Sequence, residues 1–129
     1  DVVGVVLSES SSRYQKFYDP LPGKDAFYYR EALGLDQSRL QVINAGSFPQ
    51  VPLIVLTAAN RGDTLQHEKE WQQWQKELSR LSSRGMQIYV WGSDHLIQKR
   101  QPEVIVDAVA TLVLGLSCQR VVSWHPAHV

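Results

Sequence analysis

Two short, unbroken aliphatic runs constrain this chain more than any other feature: residues 2–7 and residues 53–57. A run of four to eight β-branched and aliphatic residues with no polar alternation has no side to turn to water, so it fits a strand buried on both faces. Such strands belong to parallel sheets, and parallel strands need crossover segments that cover the sheet. The rest of the chain supplies them. Asp63 or Thr64 can cap a helix whose Glu68 and Glu70 sit near the positive end of its dipole. Trp71, Trp74, Leu78 and Leu81 recur at spacings of three and four, one apolar stripe on a polar helix that packs on the sheet. Gly85 follows as a left-handed C-cap.

Residues 86–91 form a third strand, and Gly92-Ser93-Asp94-His95 is the loop after it. Pro102 suits the first turn of a last helix, with Ile105, Ala108, Val109 and Leu112 on one face. Between the first two strands, Asp19-Pro20-Leu21-Pro22-Gly23 is a turn cluster, and a short helix over Ala26–Leu33 is stopped by Gly34. The order strand, irregular segment, strand, helix, strand, loop, helix predicts an α/β fold with a mostly parallel sheet flanked by helices.

Composition narrows the partners. Thirteen basic residues balance thirteen acidic ones in 129, which gives no electrostatic footprint for nucleic acid or an anionic membrane. The apolar stretch 104–118 is interrupted by Asp107 and too short to span a bilayer. Cys118 is the only cysteine, so no intramolecular disulfide can form, and a reducing, cytoplasmic setting is expected. The chain opens on Asp1 without a basic segment or an initiator methionine, so it reads as a processed or partial chain rather than one led by a signal peptide.

Taken in order, Pro52-Leu53-Ile54-Val55-Leu56-Thr57, the Trp/Gln-rich helix ending Leu78-Ser79-Arg80-Leu81-Ser82, Gly92-Ser93-Asp94-His95 and Gln101-Pro102-Glu103-Val104 resemble the end of bacterial-type α/β-hydrolases. In that family the order is seventh strand, helix, eighth strand, catalytic histidine loop and final helix. Val3-Gly4-Val5-Val6-Leu7 likewise resembles the sixth strand. The resemblance covers nearly the whole chain as one domain, residues 1–129, and is weakest between residues 13 and 48, where a reduced lid or cap would be inserted. No single piece is highly specific; the ordered combination, with the histidine after the last strand and before a helix that opens with proline, is fairly specific.

The resemblance implies that His95 is the catalytic histidine. The position also makes sense without the family, because active-site groups of parallel α/β sheets sit on loops at the carboxyl ends of strands, and an imidazole there can take a proton near neutral pH. His67, His125 and His128 lack that context and read as surface residues, and no metal site or cofactor is expected. A triad also needs an acid to orient the imidazole. Glu9, in Val6-Leu7-Ser8-Glu9-Ser10, stands where many relatives carry an acid after the sixth strand; Asp63 stands where others carry one after the seventh. Glu9 is preferred because it lies closer to its strand end, and the plainer reading of Asp63 is a helix N-cap.

The nucleophile is missing. No Gly-x-Ser-x-Gly elbow occurs, and Ser117 and Cys118 fall at a helix end where neither is a credible nucleophile. In the family the elbow precedes the sixth strand. The expected activity is therefore ester-type acyl transfer on a small-molecule substrate, with His95 as base and then acid and the serine supplied by a missing N-terminal half. An Asp nucleophile would turn the same machinery to epoxide or carbon–halogen hydrolysis. The alternative is a non-catalytic binding or interaction module that keeps the hydrolase core. Alone, the chain should be inactive and incomplete. A buried strand with an open edge and half a core forfeits burial at roughly 25 cal/mol per Å², against a net stability of only about 5–15 kcal/mol.

Overall fold

A computed structural model describes residues 1–12 and 26–115 of the chain. In order, they form β1 (Val5–Ser8), α1 (Ala26–Asn44), β2 (Leu53–Ala58), α2 (Leu65–Ser79), β3 (Gly85–Val90), α3 (Ile97–Arg100) and α4 (Pro102–Val113). The three strands form one sheet in the order β1-β2-β3, and both pairings are parallel. The register sets Val5 against Leu53 and Leu53 against Gly85, so the strands start level. Strands β2 and β3 end together at Ala58 and Val90, β1 ends earlier at Ser8 opposite Leu56, and the loops that follow all three emerge on one rim. The architecture is α/β.

Because side chains alternate along a strand, each face of the sheet collects every second residue. Ile54, Leu56, Ala58 and Val90 join Ile97 and Ala108 in one core, flanked by Val6, Met86, Ile88, Val104, Ile105 and Leu112. Leu53 and Val55 join Leu78 on the opposite face, with Val5, Leu7, Phe48 and Leu81 around them. Helix α4 thus covers one face and α2 the other, and central β2 is buried along its whole length.

Several expectations drawn from the sequence change here. The first strand starts at Val5, not at residue 2, and all of it is only half buried, while Val2 and Val3 are exposed. Its place at the end of the strand order, beside a single neighbour, accounts for that. Gly34 does not stop α1, which continues to Asn44; a glycine inside a helix costs only about 0.5–1 kcal/mol, less than the turns on either side can offset. Gly85 is not a left-handed cap. The last residue of α2 is followed by Arg80 in a right-handed conformation, and Gly85 opens β3. A side chain at Gly85 would run into the backbone carbonyl of Ser79, so close approach, not a positive φ, demands glycine there.

On α4, Val109 faces outward rather than inward, and Thr111 takes a buried place. Val106, Val109 and Val113 lie three and four apart and are all exposed, as is Leu114. The short helix α3 was not foreseen; Ile97, fully buried, pins it to the core. Trp71 and Leu78 are buried on α2 as the stripe requires, with Trp74 half buried beside them. Cys118, Ser117, His125, His128 and the Pro-rich turn at 19–23 lie outside the described residues.

Candidate active site

The rim formed by the carboxyl ends of the three strands brings Glu9, Arg61 and His95 together, with Trp71 of α2 beneath them. Glu9 is the residue after β1. It holds φ at +47°, a left-handed conformation uncommon for a residue with a side chain, while its N–H still donates to the Leu56 carbonyl of β2 at 3.0 Å. Such a conformation costs of order 1 kcal/mol or more and persists only where the surroundings over-determine it. The surroundings do so here. The Glu9 side chain is 2% exposed. Its Oε1 accepts the backbone N–H of Ala58 at 2.7 Å and the indole N–H of Trp71 at 3.1 Å. Gln75, a buried residue of α2, donates to the Ser10 carbonyl at 2.7 Å and holds the chain just beyond.

The other carboxylate oxygen faces the imidazole. His95 Nδ1 lies 3.0 Å from Glu9 Oε2, and its ring stands edge-on to Trp71 at 6.1 Å between centroids. An acid on Nδ1 fixes the tautomer, leaving the Nε2 lone pair to act as a base. The His95 side chain is 51% exposed, and among the described residues Nε2 has no hydrogen-bond partner. A buried acid and a half-exposed imidazole therefore meet on the rim, in the arrangement that would leave Nε2 as the base.

The loop that carries His95 is held from within. Gly92 turns it with φ +75°, where Gln101 approaches closely and donates to the Trp91 carbonyl at 2.8 Å. Asp94 Oδ1 accepts the Leu96 N–H at 2.8 Å, and Arg100 Nε donates to Oδ2 at 3.0 Å. The Leu96 amide first, and then Arg100, hold the Asp94 carboxyl below the usual carboxylate range. Buried Ser93 and Ile97 anchor the two ends of the turn.

Asp63, the second sequence candidate, is placed differently. Its Oδ1 accepts the Thr64 N–H at 2.7 Å and meets His67 Nδ1 at 3.1 Å on the exposed start of α2. Those contacts, the Thr64 amide before His67, lower its pKa from the ordinary carboxylate value. Thr64, not Asp63, is the N-cap of α2, and its hydroxyl accepts the His67 N–H at 3.3 Å. The structure thus brings Glu9 to His95 and leaves Asp63 with His67.

Two residues of this cluster were not singled out for chemistry in the sequence. Arg61 lies over the Trp71 ring at 3.9 Å, and its Nε approaches Glu9 Oε2 at 3.2 Å, in ion-pair range without hydrogen-bond geometry. Its loop is fixed because Glu68 Oε1 accepts the Arg61 and Asp63 N–H groups at 2.7 and 3.2 Å. Trp71 was read as packing alone. The sequence signal for Arg61 was its place in the loop after β2, as Glu9 stands after β1.

Among the described residues no group of three or more His, Cys, Asp or Glu side chains could hold a metal ion, and no helix is long and apolar enough to cross a membrane. Comparison with family models, with curated proteins and with solved structures returned no match.

Proposed function

We propose that this chain carries the histidine and acid of a hydrolase triad, within the C-terminal part of an α/β-hydrolase-type domain. The observation that carries the reading is the Glu9–His95 pair: a buried carboxylate on Nδ1, 3.0 Å away, of an imidazole that is half exposed. The strand-end location of both residues and the parallel order of the three strands support it.

In the proposed reaction, His95 Nε2 takes the proton of a serine hydroxyl as its oxygen bonds to the substrate's acyl carbon. The resulting imidazolium is stabilised by Glu9. Collapse of the tetrahedral adduct breaks the bond to the leaving alcohol, whose oxygen receives the proton from Nε2. Water then repeats the sequence, releases the acid and restores the serine. The serine and the oxyanion-hole donors come from polypeptide outside these 129 residues, and no cofactor takes part. The same missing part would cover the edge of β1, unpaired among the described residues, and the exposed valines of α4.

A fluorophosphonate probe tests the reading in the complete protein. Labelling of a serine outside this segment, abolished by His95→Ala, is the expected result. No labelling of the wild-type protein contradicts ester-type hydrolysis and favours a non-catalytic module.

A further inference from the structure

We infer that Trp71 is a positioning residue of this site, whose indole N–H fixes the plane of the Glu9 carboxylate and so aims Oε2 at His95 Nδ1. The Ala58 amide alone would anchor Oε1 at one point and leave the carboxylate free to turn about that contact. A second donor on the same oxygen, arriving from α2 rather than from β2, removes the freedom. With both lone pairs of Oε1 engaged, Oε2 is the oxygen left for the imidazole.

Trp71 is itself rigidly held. It is 3% exposed, stands edge-on to Trp74 at 6.4 Å, and carries the Arg61 guanidinium on its face. An aromatic ring without a donor would satisfy that packing. What packing does not explain is a donor aimed at a buried carboxylate, where an unpaired indole N–H or an under-bonded carboxylate would be costly. Arg61 supplies countercharge at Oε2 but lacks the geometry to direct it, so orientation falls to Trp71.

The kinetic consequence rests on the hydrolase reading; the geometric one does not, and the test separates them. Nitrogen NMR of the His95 ring in the complete protein, taken with the imidazole neutral, reports which nitrogen carries the proton. The wild-type chain should hold the proton on Nδ1. Trp71→Phe, which keeps a packed ring and removes the donor, should shift His95 toward a mixture of tautomers. In the complete enzyme the same variant should lower kcat about 10- to 100-fold and change KM little, as for a misaimed catalytic group. If Trp71→Phe proves unfolded, Glu9→Ala gives the reciprocal measurement, and the Trp71 indole N–H should then move in the spectrum and lose at least tenfold in exchange protection. A folded Trp71→Phe chain with an unchanged His95 tautomer overturns the inference, as does an indole resonance indifferent to Glu9→Ala. An inactive wild-type enzyme would instead count against the hydrolase reading and leave the tautomer result to decide on Trp71.

Discussion

Glu9 Oε2 and His95 Nδ1, from residues 86 positions apart, meet at 3.0 Å on the rim of a parallel sheet. Three strands, their register and a left-handed backbone at Glu9 are needed to place them there. A surface ion pair needs none of this and contributes little. Here the acid is buried, accepts two hydrogen bonds on its other oxygen and is directed at a half-exposed ring.

The two acids should therefore separate by mutation. In the complete protein, Glu9→Gln should lower kcat by about 10³- to 10⁴-fold, the scale seen when the orienting acid of a triad becomes an amide. Asp63→Asn should leave kcat within about twofold, since Asp63 contacts His67 and the α2 start rather than His95. Equal losses in ester hydrolysis, or a larger loss for Asp63→Asn, would reverse the assignment.

Two glycines give opposite expectations for the fold. A methyl group at Gly85 meets the Ser79 carbonyl and the neighbouring backbone, which cannot yield as a side-chain tip can, so Gly85→Ala should destabilise by about 1–3 kcal/mol. Gly34 lies inside α1 with nothing within 4 Å of its missing side chain among the described residues, and Gly34→Ala should stabilise by about 0.5–1 kcal/mol. Urea unfolding followed by circular dichroism reads both. A neutral Gly85→Ala would mean that the α2–β3 connection is looser than described.

The histidine loop should depend on acid. The Leu96 amide and Arg100 favour the charged form of Asp94, so its carboxyl titrates lower in the folded loop than in the unfolded chain. The stabilisation is complete above the ordinary carboxylate pKa and is lost as pH falls through the lowered, folded one. Exchange protection of the Leu96 amide should follow that course, and Asp94→Asn should flatten its pH dependence. A Leu96 amide equally protected in acid, or an unaltered profile in Asp94→Asn, would show that the turn does not rely on the carboxylate.

Much of the frame was legible beforehand because burial leaves a local imprint. Central β2 reads as an unbroken apolar run, and the Trp71/Leu78 stripe of α2 follows helical spacing. Where tertiary context decides, the sequence was mute or misleading. Gly34 is a breaker by propensity yet lies inside a nineteen-residue helix. Val109 matches the inward face of α4 by spacing alone but points outward, while Ala108 and Thr111 take the buried places. His95 could be named from its place after the last strand. The choice between Glu9 and Asp63 turned on strand-end distance, since the left-handed turn that swings Glu9 inward has no glycine to announce it. Trp71 was visible as a packing residue, but the direction of an indole N–H is set by residues 62 positions away.

The most direct test of the account is kcat for ester hydrolysis by His95→Ala in the complete protein, with circular dichroism to verify the fold. The members of a triad act as a unit, so loss of the base should reduce kcat by roughly four to six powers of ten while substrate binding persists. A folded His95→Ala enzyme that retains more than about a tenth of wild-type kcat, far above the residual activity left when a triad loses its base, would show that the imidazole is not the base and would contradict the account at its centre.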